Sequence, residues 1–355
     1  MSTYFLPGKN TCYNPTATNY DNNVQTEEQE AYNDLQKQLD HLYKTLPKDK
    51  GWKSEYIFLY KNFWLSRDVI KGLLLIQTYF KPEPTDIFLA TFMKSGTTWL
   101  KALMFAISNR HRYEFSNHPL QNTGPQSAFP FLDTHIYLDH TITKFDHLPK
   151  PRLFATHHPH ELLPTSMTSP MSPCKFVYVC RDPKDVLISK WDFMNKIRSK
   201  DLVPISFNEA YESFCKGVSE YGPFWDHVLG YWKASKESPD KILFLKYEDM
   251  KKEPVVEVRK LAAFMGMAFT TEEEEKGVVQ EIVKLCSFET LSSLEVNKSG
   301  RQRFIAKETI ENQNFFRKGV VGDWENYLTE EMKDRIDSIT SDKLKGSGLT
   351  LGLTK

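Results

Sequence analysis

The 355-residue chain has few cysteines, no long apolar run and no excess of either charge. Its five cysteines form no Cys-x-x-Cys pair, so neither a disulfide scaffold nor a zinc site of that type is expected. The longest apolar run, at residues 72–76, is too short to cross a membrane. Lys plus Arg and Asp plus Glu total 46 each, which argues against general binding to nucleic acid or to an anionic membrane. No secretory signal is visible at the N-terminus, and we expect a soluble, cytoplasmic protein.

The chain is predicted to consist of a short tail and one domain. Residues 1–25 are rich in Asn and Thr and poor in apolar residues, which predicts a mobile N-terminal tail. The domain, at 26–355, is predicted to begin with a helix, because Thr26 and Gln29 form a capping-box pattern. Leucines then recur at helical spacing, at Leu35, Leu39, Leu42 and Leu46.

Four short apolar segments alternate with helical stretches in the domain. These predicted strands occupy residues 86–93 (DIFLATFM), 152–156 (RLFAT), 174–180 (CKFVYVC) and 241–245 (KILFL). Strands that are apolar at nearly every position are buried on both faces, as parallel strands are. We therefore predict a single α/β domain with a central, mainly parallel sheet flanked by helices. Polar residues follow the strands at their carboxyl ends, where open α/β sheets bind ligands.

The segment after the first predicted strand, KSGTTW at residues 94–99, suits a phosphate group. A glycine-containing turn before a helix exposes backbone N–H groups where the helix dipole favours an anion. Lys94, Thr97 and Thr98 add side-chain donors to this P-loop-like strand–loop–helix unit. The alternative is an ordinary strand-to-helix turn. A Walker A loop is excluded, because Lys94 precedes the glycine instead of following it.

Six segments of the chain occur in the order found in cytosolic sulfotransferases. They are KSGTTWLKAL, the Thr-His pair after RLFA, CRDPKDVLIS, LKYEDMKKEP, LCSFETLSSLEVNKSG and FFRKGVVGDW. From about residue 51 to residue 348 the chain resembles the plant soluble members that sulfate flavonols and hydroxyjasmonates. The resemblance implies transfer of the sulfuryl group of 3′-phosphoadenosine 5′-phosphosulfate (PAPS) to a hydroxyl of a small hydrophobic metabolite. The product nucleotide would be 3′-phosphoadenosine 5′-phosphate (PAP), and no metal would be needed.

The resemblance also implies which residues hold the nucleotide. The 5′-phosphosulfate would be held by Lys94, Ser95, Gly96, Thr97, Thr98 and Trp99. The 3′-phosphate would be held by Arg181, Ser189, Arg317, Lys318 and Gly319. The adenine would be contacted by Trp99, Phe288 and Tyr247.

His157 matches the general base of the family, and Lys94 matches the cation that stabilises the leaving phosphate. We expect His157 to have a near-neutral pKa. The alternative is a hydrogen-bonded structural histidine at a strand end. A metal site built from His157, His158 and His160 is disfavoured, because Pro159 interrupts the run and no further ligand follows at a suitable spacing.

Three positions depart from the family pattern. Met93 replaces the usual proline before the lysine, so the entry to the phosphate loop is expected to be less rigid. Ala155 replaces a lysine of the animal members, so a second cation near the sulfuryl group is not implied. Cys286 replaces a threonine, which puts one polar nucleotide contact in doubt.

The acceptor is the least determined part of the prediction. Phe193 matches a residue that lines an aromatic pocket, and the stretch at 129–132, which includes Phe131, is expected to lie near it. Such a pocket suits a flavonoid or another phenol, but also a hydroxylated hormone or steroid. A P-loop-like small-molecule kinase and a non-catalytic nucleotide-binding protein remain as alternatives. A monomer is expected, because Glu325 and Glu330 replace the lysine and valine through which animal members pair.

Overall fold

The fold is seen in a computed structural model that describes residues 22–138, 141–142, 145–305 and 308–352. Its strands are β1 (Lys48–Lys50), β2 (Tyr56–Tyr60), β3 (Phe63–Leu65), β4 (Ile87–Thr91), β5 (Tyr137–Leu138), β6 (Thr141–Ile142), β7 (Leu153–Thr156), β8 (Lys175–Cys180), β9 (Ile242–Lys246), β10 (Arg301–Ile305) and β11 (Glu308–Glu311). Its α-helices are α1 (Asn22–Thr45), α2 (Arg67–Tyr79), α3 (Thr97–Asn109), α4 (Leu120–Thr123), α5 (Leu132–His135), α6 (Thr165–Thr168), α7 (Pro183–Ile197), α8 (Phe207–Cys215), α9 (Phe224–Glu237), α10 (Tyr247–Lys252), α11 (Pro254–Phe264), α12 (Thr271–Glu275), α13 (Val278–Leu285), α14 (Phe288–Ser293), α15 (Glu295–Ser299) and α16 (Glu330–Leu344).

A four-stranded sheet in the order β7-β4-β8-β9 forms the centre of the fold. All three strand pairs are parallel, and Leu89 of β4 lies opposite Ala155 of β7 and Val177 of β8. The four strands are the four apolar segments singled out in the sequence, shortened or shifted at their ends by one or two residues. The predicted α/β domain with a central parallel sheet is therefore confirmed.

The two faces of this sheet are covered by separate apolar clusters. In β4, Phe88 and Ala90 belong to one cluster, whereas Ile87 and Leu89 belong to the other. All four side chains are at most 3% exposed. Because successive side chains of a strand point to opposite faces, burial on both faces requires apolar residues at every position. This explains why the segments are continuously apolar and not alternating.

The N-terminal helix begins earlier than the capping-box pattern predicted. Helix α1 begins at Asn22, four residues before Thr26, and ends at Thr45. Most of the predicted tail, residues 1–21, lies outside the described residues, so its mobility stays a prediction. Within the described part of the chain, no helix is both long and apolar enough to span a membrane.

Three antiparallel elements in the described residues were not predicted from the sequence. Strands β1, β2 and β3 form a small sheet, β5 pairs with β6, and β10 pairs with β11. Strand β1 is Lys48–Lys50, and all three of its residues are exposed. Its sequence, KDK, has no apolar alternation, so periodicity could not reveal it.

Gly72 lets helix α2 approach the short helix α5 closely. An ideal Cβ at position 72 would lie 2.0 Å from the backbone oxygen of Asp133, far inside van der Waals contact. Because that atom belongs to the backbone, it cannot rotate away. Gly72 therefore fixes how closely α5 is held against the core.

We predict that Gly72→Ala lowers the free energy of unfolding by about 2 kcal/mol or more, since the added methyl group forces two backbones apart. Urea denaturation measures the change. Gly230→Ala is the matched control, because it is also a helical glycine but its Cβ would meet only the end of the Glu161 side chain, at 3.3 Å. The control is expected to be neutral or slightly stabilising. Equal effects of the two substitutions would contradict the close approach.

Candidate active site

The carboxyl ends of the four parallel strands open into one cavity of about 300 Å³. The residues that follow the strands line it: Lys94 after β4, His157 after β7, Arg181 after β8 and Tyr247 after β9. Parallel strands bring their carboxyl ends to the same edge of a sheet, so these four side chains meet although they are far apart in the sequence.

The phosphate loop forms the glycine-containing turn before a helix that its sequence predicted. Lys94 and Gly96 both have positive φ angles, of 70° and 116°, and helix α3 begins directly afterwards at Thr97. A Cβ at position 96 would lie 3.0 Å from the ring of Tyr247, which adds a steric reason for glycine. The turn therefore presents the start of α3 to the cavity.

Lys94 places its amine over the ring of Phe193, 3.9 Å from the ring centroid. Burial, together with the smaller effects of the charges on Lys196, Arg181 and Arg317, lowers the pKa of Lys94 to about 7, whereas the charge of Asp192 opposes this decrease. Binding of an anion in the cavity would therefore favour the protonated form of Lys94.

His157 is fixed by a hydrogen bond to the neighbouring strand. Its Nδ1 lies 2.8 Å from the carbonyl oxygen of Thr91, at the end of β4. A carbonyl oxygen can only accept, so Nδ1 carries the hydrogen and Nε2 keeps a lone pair. This is the tautomer that a base at the cavity requires.

The expected near-neutral pKa of His157 was wrong. Burial lowers the pKa to about 4, and the carboxylate of Asp133 opposes this decrease without overcoming it. The rings of Phe131 and Tyr221, with centroids 4.7 and 5.4 Å from that of His157, exclude water from the imidazole. His157 is therefore neutral at physiological pH and able to accept a proton.

Arg181 also lines the cavity and is held from two sides. Its Nη2 donates to Asp185 at 3.0 Å and to the carbonyl oxygen of Val320 at 2.7 Å. Its guanidinium also lies over the ring of Tyr247, 4.5 Å from the centroid. Asp185 accepts the backbone N–H of Gly322 as well, so it ties helix α7 to the loop at 317–322.

That loop carries two further cations. Arg317 and Lys318 both pair with the carboxylate of Asp323, and these contacts lower the pKa of that carboxyl group. Gly319 follows with a φ of 67°, and a Cβ there would lie 2.4 Å from the ring of Phe288. Glycine at 319 therefore lets the loop backbone approach Phe288.

Three of the residues that line the cavity have a buried donor without a hydrogen-bond partner in the protein. The donors are Trp99 Nε1, Arg181 Nε and Arg317 Nε. Buried donors are normally satisfied, so their grouping on one cavity favours a ligand rich in acceptor oxygens or nitrogens. Together with the cations, they fit a phosphorylated nucleotide.

The structure brings almost all of the sequence-predicted residues together. The cavity is lined by Lys94, Gly96, Thr97, Thr98, Trp99, Phe131, His157, Arg181, Ser189, Phe193, Tyr247, Phe288, Arg317, Lys318 and Gly319. Ser95 is the exception: it belongs to the loop but is fully buried, and its backbone N–H donates to the carbonyl oxygen of Phe92 at 3.2 Å. Ser95 is therefore not among the residues that line the cavity, and its hydroxyl has no hydrogen-bond partner in the protein.

The three departures from the family pattern lie in different surroundings. Met93 is buried and lines the cavity beside Lys94. Ala155 is fully buried in the apolar cluster on the α3 side of the sheet and brings no polar group to the cavity. Cys286 lines the cavity, and burial raises the pKa of its thiol, so it stays neutral.

The cavity also contains residues to which the sequence analysis gave no role. Tyr221 and Phe315 lie beside His157 and Phe193, at ring distances of 5.4 Å in both pairs. Lys101 is buried, and its amine donates to the carbonyl oxygens of Gln126 and Phe129 at 2.9 and 2.7 Å. Lys101 thereby holds the segment that carries Phe131.

No cluster of three or more potential metal ligands occurs in the described ranges. His158 and His160 do not join His157 in such a cluster. His158 is fully buried 3.7 Å from Asp133, and His160 packs against Tyr231 at a ring distance of 5.3 Å.

Known proteins are similar to this chain over most of its length. A family model described as the sulfotransferase domain matches residues 84–348. Cytosolic sulfotransferase 16 of Arabidopsis thaliana is 45% identical over 315 residues, which cover 88% of this chain and 92% of that protein. Flavonol 3-sulfotransferase of Flaveria bidentis is 44% identical, over 88% of this chain and 100% of that protein.

A solved structure shows the same fold. A crystal structure of a mouse sulfotransferase complexed with PAP has a TM-score of 0.60 and 27% identity, and covers 82% of this chain and 96% of that chain. The family match and the identity to the plant proteins are decisive: the chain belongs to the sulfotransferase family. The resemblance seen in the sequence is thus confirmed.

Proposed function

We propose that the protein transfers the sulfuryl group of PAPS to a hydroxyl of a small aromatic metabolite, and releases PAP. The observation that carries this proposal is one cavity that is lined both by a neutral imidazole and by a group of cations. Family membership and the PAP complex of a related protein support the choice of nucleotide.

The positions of the cations and of the unpartnered donors favour one orientation of the bound nucleotide. Lys94 and the start of helix α3 would hold the 5′-phosphosulfate, and Arg181 and Ser189 with the loop at 317–319 would hold the 3′-phosphate. Trp99 and Phe288 offer flat faces for the adenine. When bound, PAPS supplies a sulfuryl group joined to a phosphate leaving group.

His157 then acts as the general base. Its Nε2 accepts the proton of the acceptor hydroxyl as that oxygen becomes bonded to sulfur. The hydrogen bond from Nδ1 to Thr91 keeps the ring oriented while it becomes an imidazolium. Lys94 stabilises the negative charge that develops on the departing phosphate. The protein's own cations take the place that a metal ion has in phosphate transfer.

An aromatic acceptor fits the end of the cavity beside His157. Phe131, Phe193, Phe315 and Tyr221 offer ring faces there, and a planar phenol can stack on them. The identity to a flavonol sulfotransferase favours a flavonoid within this class. A hydroxylated hormone is the second candidate, because the ring faces do not select for polar substituents on the acceptor.

We predict that the purified protein transfers ³⁵S from labelled PAPS to at least one member of a panel of flavonols, hydroxyjasmonates, brassinosteroids and desulfoglucosinolates. Transfer should persist in EDTA, because the cations belong to the chain. Phosphate transfer that needs Mg²⁺ would instead indicate a kinase. Nucleotide binding without any transfer would indicate a non-catalytic protein, and both results would contradict the proposal.

We predict that His157→Ala lowers kcat at least ~10²-fold and leaves the affinity for PAP unchanged, because the base acts only in the chemical step. Steady-state kinetics and calorimetric titration with PAP measure the two quantities. A strongly acidic phenol should partly restore turnover. His160→Ala is the control and should stay within a few-fold of the parent. Equal losses in both variants would contradict the assignment.

We predict that Arg181→Ala weakens PAP binding by roughly 10- to 100-fold, since a charged hydrogen bond contributes about 1.5–3 kcal/mol. Adenosine 5′-phosphate, which lacks the 3′-phosphate, should bind the variant and the parent equally. Arg259→Ala, which removes an exposed pair with Glu274, should change neither affinity. A similar loss for both nucleotides would show that Arg181 does not hold the 3′-phosphate.

We further propose a monomer that acts in the cytosol and binds neither nucleic acid nor membranes. Zero net charge and the cytosolic naming of the plant relatives support this. Glu325 and Glu330 are exposed and would repel an identical partner across a two-fold contact. Light scattering at micromolar concentration should give a mass near 41.4 kDa, whereas twice that mass would contradict the proposal.

A further inference from the structure

A buried carboxylate, that of Asp133, lies directly behind the strand end that carries His157. Asp133 belongs to the short helix α5, and its side chain is fully buried. One oxygen accepts the hydroxyl of Thr156 at 2.5 Å. The other accepts the backbone N–H of His157 at 2.9 Å and the hydroxyl of Tyr221 at 3.3 Å.

We propose that Asp133 is a positioning residue for His157: its carboxylate fixes the backbone from which the imidazole extends, and its negative charge stabilises the imidazolium that forms during transfer. This inference rests on the proposed sulfuryl transfer. The positioning step follows from the contacts, because the carboxylate binds two consecutive residues at the end of β7. Residue 157 therefore cannot shift without breaking at least one of these hydrogen bonds.

The backbone and the ring of His157 are thus held separately. Asp133 holds the backbone N–H, Thr91 holds Nδ1, and the Nε2–H of His227 donates to the His157 carbonyl at 2.9 Å. With these three contacts, the imidazole has little freedom. A base that is fixed in this way needs little reorganisation when the acceptor arrives.

The second step concerns charge. Asp133 is a buried carboxylate close to His157, and its charge raises the pKa of that histidine against the effect of burial. The other titratable groups facing the imidazole act in the opposite direction or are neutral. His158 and Lys190 lower the pKa of His157, and burial keeps Tyr221 and His227 uncharged. Of these groups, Asp133 supplies the negative charge that favours the imidazolium.

Gly72 supports this arrangement from behind. Its missing side chain lets helix α2 pack against the backbone oxygen of Asp133. Helix α5 therefore packs close to β7. Phe131, the residue before α5, also forms a parallel β-bridge with Ala155 of β7. The position of the carboxylate is set by the core and not by a flexible loop.

Asp133→Asn tests the charge with little change of shape. The amide oxygen can still accept the N–H of His157, and the amide nitrogen can donate to Thr156. We expect kcat to fall about tenfold or more, with the PAP affinity unchanged and a steeper dependence of kcat on the acidity of the phenol acceptor. The ¹⁵N signals of His157, assigned by their loss in His157→Gln, should titrate at lower pH than in the parent.

Two further variants separate charge from structure. Asp133→Glu keeps the charge, so its His157 titration should stay near that of the parent and its kcat above that of Asp133→Asn. Thr156→Val removes one hydrogen bond to the carboxylate and keeps the charge, so the titration should not shift. An unshifted titration in Asp133→Asn, or equal losses of kcat in Asp133→Asn and Asp133→Glu, would overturn the inference.

The ¹⁵N titration of His157 can be measured whether or not the protein transfers a sulfuryl group. If the parent protein transfers no sulfuryl group, the proposed function fails, but the ¹⁵N signals still report whether the charge of Asp133 acts on His157. If transfer occurs and the signals do not respond to Asp133→Asn, the inference about Asp133 fails alone.

Discussion

The hydrogen bond from His157 Nδ1 to the carbonyl oxygen of Thr91 is the interaction on which the site depends. It joins the ends of two neighbouring parallel strands and determines which imidazole nitrogen keeps its lone pair. The bond is possible because the register of β4 and β7 sets Ala90 opposite Thr156, so that the residues after them are side by side. Sheet geometry thus determines the tautomer of a side chain.

The residues that line the cavity differ in charge, and burial contributes to this difference. At His157, rings exclude water, and the imidazole stays neutral with a pKa of about 4. Arg181 and Arg317 bring positive charge to the same cavity, and they form ion pairs with Asp185 and Asp323, respectively. The same desolvation lowers the pKa of Lys94 to about 7, so its charge is most favoured when an anion is bound. A neutral base and a cationic cradle can therefore share one small cavity.

Much of this could be predicted from the sequence, and the rest depends on packing. Lys94, His157, Arg181 and Tyr247 were predictable because each follows an apolar segment, and the carboxyl ends of parallel strands meet. The burial of Ser95 and the low pKa of His157 were not predictable, because both follow from neighbours brought in by the fold. Asp133 and Tyr221 reach the site through tertiary contacts, and no motif marks them.

The tautomer and charge of His157 can be measured directly by two-bond ¹H–¹⁵N correlation on histidine-labelled protein with PAP at pH 7. A general base held by Thr91 predicts a neutral ring with the hydrogen on Nδ1 and an unprotonated Nε2. An imidazolium at that pH, or a ring with the hydrogen on Nε2, would contradict the account, because neither form can accept the acceptor's proton at the cavity.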